Sequence, residues 1–93
     1  MTDTQKDYLV IYDISSDIQR KKLAAYLDGY GSRIQKSAYE MHLSETKVKK
    51  LMKGMPRFCK KGDNIRLYEI PDKSDIMNWG DERSTNSDDV VIV

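Results

Sequence analysis

The stretch Tyr8-Leu9-Val10-Ile11-Tyr12-Asp13 reads as a buried β-strand, an unbroken apolar and aromatic run that ends on a single carboxylate. An acid placed directly after such a run serves solubility poorly, and the carboxyl end of a strand is where active sites gather, so Asp13 is a candidate for chemistry. Its alternative is an ordinary turn or cap role within Asp13-Ile14-Ser15-Ser16.

Working outward, Ser15 or Ser16 can cap a helix that begins near Asp17, whose charge suits a helix amino end. Leu23, Ala24, Leu27 and Tyr30 recur at helical spacing, and Gly29 and Gly31 bracket the end of the pattern, so helix one covers roughly 17–30. From Arg33 to Leu43 there is no helical stripe. The segment reads as two short strands with a tight bend or bulge near Lys36 to Ala38. Ser44 and Glu45 open helix two, in which Val48, Leu51, Met52 and Met55 make an apolar stripe while Lys47, Lys49, Lys50 and Lys53 crowd the other faces. Gly54 and Pro56 weaken or end it. A turn at Lys61-Gly62-Asp63-Asn64 leads into the alternating strand Ile65-Arg66-Leu67-Tyr68-Glu69-Ile70, which Pro71 closes.

The order β-α-β-β-α-β is the split pattern of the α+β, ferredoxin-like fold, an antiparallel sheet with both helices on one face. The other face must then meet water, bind a ligand or RNA, or pack against a second copy. The expected organisation is a flexible N-terminus (1–7), a ferredoxin-like domain (8–70) and a tail (71–93) that docks at a dimer. The tail is polar and acidic around Trp79 and ends in Val90-Val91-Ile92-Val93, which is expected to add an extra C-terminal edge strand to its own sheet or a partner's.

Ninety-three residues allow one small domain with a single core. Charge is segregated: residues 17–66 hold thirteen Lys and Arg against five Asp and Glu, whereas the flanks hold three against ten. So basic a middle suits a phosphate backbone, with a solvated helix face as the plainer reading. Cys59 is the single cysteine, which excludes an intrachain disulfide and a multi-cysteine metal site and fits a reducing cytoplasm. No run is long and apolar enough for a membrane span, and the start lacks a secretion signal, so a soluble cytoplasmic protein is expected.

Asp13 alone seldom holds Mg²⁺, which wants six oxygens. Two copies of Asp13 facing each other across a dimer axis could hold one ion and activate water for phosphodiester cleavage. Ser15, Ser16 and Asp17 are candidates for water or supporting contacts, each with a capping alternative. Arg20 shares the face of Leu23, Ala24 and Leu27, and could clamp phosphate or simply pair with Asp13. Arg33 suits another phosphate contact, and Tyr39 could stack on a base or pack in a dimer core. His42 and Cys59 read as structural, the latter as a core thiol.

Together these residues resemble the CRISPR-associated adaptation protein two family, the small subunit of CRISPR spacer acquisition. The resemblance spans roughly residues 8–70. It rests on Tyr8 through Ser15, on Arg20 with Lys22 and Leu23, on Tyr30-Gly31, on Arg33-Ile34-Gln35-Lys36-Ser37-Ala38-Tyr39-Glu40, and on Asn64-Ile65-Arg66-Leu67-Tyr68. It implies a ferredoxin-like homodimer in which Asp13 is the Mg²⁺ (or Mn²⁺) ligand of a phosphodiesterase acting on single-stranded RNA or double-stranded DNA. It also implies a scaffold that bridges integrase subunits and lays duplex DNA over basic residues. Arg20, Arg33 and Tyr39 match family positions near the site, and Tyr39 stands where phenylalanine is usual and Ala38 where valine is. On the resulting expectation, Asp13 is catalytic and metal-binding, Arg20, Arg33, Lys47 and Lys50 contact nucleic acid, and Tyr12, Ser15 and Tyr39 support the site.

Two rival readings remain at this level: a toxin-like ribonuclease of the same fold, and a non-catalytic RNA-binding module reading bases on an open sheet face. The second needs two or three aromatics on that face. Tyr12, Tyr39 and Tyr68 suffice by number, though their alternation with apolar neighbours suits a buried dimer face better.

Overall fold

A computed structural model describes residues 4–80. The chain runs β1 (Gln5–Asp13), α1 (Asp17–Asp28), β2 (Gly31–Gln35), β3 (Ala38–Ser44), α2 (Glu45–Gly54), a 3-10 turn (Pro56–Phe58), β4 (Asn64–Ile70) and a second 3-10 turn (Lys73–Asp75). The strands form one antiparallel sheet in the order β2-β3-β1-β4, the expected ferredoxin-like arrangement with β1 at the centre.

Side-chain alternation along β1 divides its two faces. Tyr8, Val10 and Tyr12 are buried with Tyr39, Met41 and Leu43 of β3 against Leu23, Leu27, Val48 and Leu51 of the helices. Leu9, Ile11 and Asp13 point the other way, into a face that no helix covers among the described residues, shared with Glu40, Tyr68 and Arg66 through the register Leu9↔Glu40, Leu9↔Tyr68 and Ile11↔Arg66, with Lys73 beyond β4 reaching Glu40 at 4.0 Å. This corrects one expectation. Tyr12 and Tyr39 lie under the helices, because Val10 pairs with Tyr39 and Tyr12 with Ile65, and of the three tyrosines only Tyr68 lies on the open face.

Local signals act largely as their chemistry dictates. Ser16 caps α1 by accepting from the Gln19 amide at 3.2 Å, and Ser44 caps α2 by accepting from Lys47 at 3.2 Å. β2 and β3 join through a turn at Lys36 and Ser37, with a register shift between Arg33 and Gln35. Helix α1 is shorter than expected. Gly29 follows it in a right-handed conformation, so no left-handed glycine cap ends it. Gly31 answers a different need: a Cβ there would lie 2.3 Å from the Glu40 carbonyl oxygen, so only glycine lets β2 approach β3 this closely.

Other expectations shift. Strand β1 starts at Gln5, inside the stretch expected to be a flexible N-terminus, because Gln5, Lys6 and Asp7 pair with Ser44, Leu43 and His42 of β3, with side-chain contacts Lys6–Glu69 at 3.7 Å and Asp7–His42 at 2.8 Å alongside. Met52 is 50% exposed, since Val48, Leu51 and Met55 already fill the buried stripe of α2. Cys59 is half-buried, at the edge of the core rather than in it. The expected strand at 90–93 lies outside the described residues. Among those described, no helix is long and apolar enough to cross a membrane.

Candidate functional site

Asp13 is the last residue of β1, exposed on the open-face side and paired in register with Asn64 of β4. The strand delivers it to a short loop, Ile14-Ser15-Ser16, before α1. Ile14 plugs that loop into the core at 2% exposure, so the chain has little freedom directly after the carboxylate.

Arg20 does not pair with Asp13. Its guanidinium donates to the Ile14 carbonyl at 2.8 Å and to the Asp17 carboxylate, and so braces the loop from the first turn of α1. A second brace comes from a residue that sequence reasoning treated only as part of a turn. Oδ1 of Asp63 accepts from the Ser15 amide at 3.0 Å and from the Ser15 hydroxyl at 3.1 Å, while Oδ2 accepts from the Lys60 amide at 2.9 Å. These bonds, that from the Ser15 amide foremost, hold the Asp63 carboxyl below the usual carboxylate range. The only available sequence signal was an Asp in a glycine turn, and nothing in it points across to a serine 48 positions earlier.

On the helix side of the sheet, a shallow groove of about 660 Å³ runs from Asp13 past Arg20, Lys21 and Ala24 to Arg33 and Lys36. Tyr12 lies at its floor and donates to the Lys36 carbonyl at 3.3 Å. Arg33 donates to the same carbonyl at 3.2 Å, leaving an exposed guanidinium at the rim. Burial raises the Tyr12 hydroxyl above the ordinary tyrosine range, against the opposing pull of Arg33. Tyr39 is fully buried and its hydroxyl lies 3.1 Å from the Ala24 carbonyl and 2.7 Å from Oδ1 of Asp28, so its ring is committed to the core of its own chain rather than to a base or a dimer face.

The structure therefore gathers Asp13, Ser15, Arg20, Arg33 and Tyr12 around one end of β1, and places Lys47 and Lys50 elsewhere. Helix α2 starts directly after its cap Ser44, which pairs with Gln5 at the opposite end of β1. At the usual strand rise that is about 26 Å from Asp13. Lys47 and Lys50 are both exposed, which suits contact with a polymer rather than with the reacting atoms.

Among the described residues no group of three or more His, Cys, Asp or Glu side chains converges as a metal centre. Asp63 and Asp17 are already engaged with Ser15 and Arg20, so one chain offers Asp13 alone, and its donor set does not by itself fit an octahedral Mg²⁺ or Mn²⁺ ion.

Comparison with known proteins bears on the chain as a whole. The family model described as CRISPR associated protein Cas2 matches residues 6–77. A CRISPR-associated endoribonuclease Cas2 of Mycobacterium tuberculosis is 39% identical over 83 residues, which is 89% of this chain and 74% of the relative. A CRISPR-associated endonuclease Cas2 of Thermus thermophilus is 35% identical over 74 residues, covering 78% of this chain and 82% of that protein. Among solved structures, a hypothetical protein from Thermus thermophilus superposes with a TM-score of 0.77 at 32% identity, covering 86% of this chain and 96% of the other. A chain from a partial Cas6-RT-Cas1-Cas2 complex gives a TM-score of 0.64 at 27% identity, with 74% and 82% covered.

Proposed function

Because the chain belongs to the CRISPR associated protein Cas2 family, we propose that it works as a cytoplasmic homodimer in CRISPR spacer acquisition, bridging integrase subunits and binding nucleic acid, with a metal-dependent phosphodiesterase site at Asp13. The observation that carries this reading is the position of Asp13: an exposed carboxylate at the tip of the central strand, on the same side as Leu9 and Ile11 of an uncovered sheet face. Two such faces docked through Leu9, Ile11 and Tyr68 would bring two strand tips toward a common axis.

In that assembly the two Asp13 carboxylates, together with water and substrate phosphate oxygens, would hold Mg²⁺ or Mn²⁺, whose contribution when bound is a more acidic water and charge stabilisation at phosphorus. The chain's own residues do the rest. Arg20 and Asp63 fix the loop that follows the carboxylate, and the exposed Arg33 at the groove rim offers a bidentate donor to a backbone phosphate. The exposed Lys47 and Lys50 extend a basic surface along α2 for duplex DNA or RNA. The names of the relatives, endoribonuclease in one case and endonuclease in the other, support a phosphodiester substrate. A matching chain solved in a complex containing Cas1 supports the integrase partner. The burial of Tyr12 and Tyr39 argues against an aromatic base-reading module.

The test is co-purification with a Cas1 integrase and a spacer-length duplex, using wild type and Asp13→Ala, alongside Mg²⁺-dependent cleavage assays on both. The proposal expects both proteins to assemble and only the wild type to cleave. Cleavage unchanged in Asp13→Ala would remove the catalytic half. Failure of the wild type to assemble would remove the scaffold half and favour a toxin-like ribonuclease.

A further inference from the structure

The Asp13 carboxylate makes no hydrogen bond within the described residues, so what the protein fixes is the place of its Cα and the direction of its Cα–Cβ bond, and these are set by the backbone on either side. Upstream, β1 is locked by the register Asp13↔Asn64. Downstream, the chain leaves the sheet at Ile14, whose buried side chain anchors one side of the loop, and the backbone that carries the carboxylate stays in place only if the rest of that loop is tied down as well. The tie lies next door to the strand partner. Asp63 directly precedes Asn64 and reaches across to Ser15, two residues past Asp13, with one oxygen accepting both the Ser15 amide and its hydroxyl. Backbone and side chain thus close a short ring: Asp13 to Asn64 by strand pairing, Asn64 to Asp63 by the chain, Asp63 to Ser15 by hydrogen bonds.

The far side of the ring is rigid too. The Asp63 amide donates to the Lys60 carbonyl at 2.9 Å, Oδ2 accepts from the Lys60 amide at 2.9 Å, and Gly62 supplies the positive φ of 89° that the turn needs. A carboxylate used only to finish this turn would need the Lys60 contact alone. The second oxygen, spent wholly on Ser15, has no part in the turn and instead fixes the exit of the central strand.

We infer that Asp63 is a positioning residue of the Asp13 site, complementing the Arg20 brace by holding Ser15 so that the backbone presents the strand-tip carboxylate from one fixed place. This deepens the function proposed above and rests on Asp13 being the cleavage carboxylate. Asp63 touches neither substrate nor reacting atoms. Its effect belongs in turnover rather than in affinity, and it has no part in laying duplex over α2.

The experiment measures kcat and KM for Mg²⁺-dependent cleavage by wild type, Asp13→Ala, Asp63→Ala, Asp63→Asn and Ser15→Ala, with Val48→Ala as a folded, destabilised control remote from the site. Misplacing a reacting group by about an ångström costs on the order of 10²-fold, and that loss in kcat is expected for Asp63→Ala with KM unchanged. Asp63→Asn keeps an acceptor for Ser15 and should recover most of the loss. Ser15→Ala keeps the amide bond and should fall by only roughly fivefold. Val48→Ala should turn over normally at a temperature where it remains folded. Wild-type kcat in a folded Asp63→Ala, a loss confined to KM, or an equal loss in Val48→Ala would each overturn the inference. If instead wild type and Asp13→Ala cleave alike, the cleavage reading itself has failed, an outcome distinct from failure of the positioning role.

Discussion

The Tyr39 hydroxyl stands 2.7 Å from Oδ1 of Asp28, joining the floor of the sheet to the last turn of α1 from inside the core. Both partners of that hydroxyl survive its removal: the Ala24 carbonyl belongs to a helix that already uses it, and the exposed Asp28 carboxylate can turn to water. Tyr39→Phe should therefore cost only about 0.5–1.5 kcal/mol at neutral pH. The alkaline response is more telling. Burial foremost, then the bond to Asp28, raises the Tyr39 hydroxyl well above the ordinary tyrosine range, so the folded state holds this proton more tightly than the unfolded chain does. The associated stability is complete below the unfolded value of about 10 and drains away as pH rises past it. Urea midpoints for wild type should fall more steeply between pH 9 and 11.5 than those of Tyr39→Phe; parallel curves would show that the hydroxyl is not held neutral by the fold.

Asp63 has the opposite sign. Hydrogen bonds from Ser15 and Lys60 lower its carboxyl below the usual range, so its contribution is present above about pH 4 and is lost as pH falls through the depressed folded value. Asp63→Asn cannot titrate. Its thermal midpoint should lie below wild type at pH 6, and the gap should narrow toward pH 2.5. A gap that stays constant across this range would mean that ionisation of Asp63 is not what the two donors require.

The open face yields a prediction about assembly. Ile11 is 41% exposed and points away from the helices, so Ile11→Asp should fold with little loss yet disrupt docking of two uncovered sheet faces. On the proposed dimer, light scattering should show the wild type at twice the mass of Ile11→Asp, with far-UV circular dichroism unchanged. A dimer that survives the substitution would place the twofold contact elsewhere.

How far the sequence could be read follows from the range of the forces involved. Ser44 and the run from Tyr8 to Asp13 act on neighbours within a few positions, and their roles as a cap and as a buried strand were legible directly, while the same signals narrow the α1 cap to Ser15 or Ser16, and it proves to be Ser16. The side on which Tyr12 and Tyr39 lie depends on register between strands. Alternation alone says that they differ from Leu9 and Ile11, but not which set the helices cover. Arg20 turns to near neighbours, Asp17 and the Ile14 carbonyl, whereas the partner of Asp63 depends on where a turn 48 positions from Ser15 comes to rest, and no local pattern encodes that. The candidate acid was thus visible in the chain, whereas Asp63, which braces the loop after it, emerged only when the loops were brought together.

Lys47 and Lys50 test whether the basic helix and the strand-tip acid serve separable tasks. They sit toward the opposite end of β1 from Asp13, and both are exposed on α2. Contacts to phosphate release counterions, so each lysine that meets the backbone should contribute about 1 to the slope of log affinity against log salt. Lys47→Glu with Lys50→Glu should weaken duplex binding, most strongly at low salt, and make that slope shallower. Because neither side chain lies near the carboxylate, kcat on a short single-stranded substrate should stay within about twofold of wild type while binding of long duplex falls at least tenfold at low ionic strength. An unaltered salt slope would take α2 off the nucleic-acid surface. A fall in kcat matching the loss in binding would show that the two ends of the sheet act on one substrate rather than on separate parts of the task.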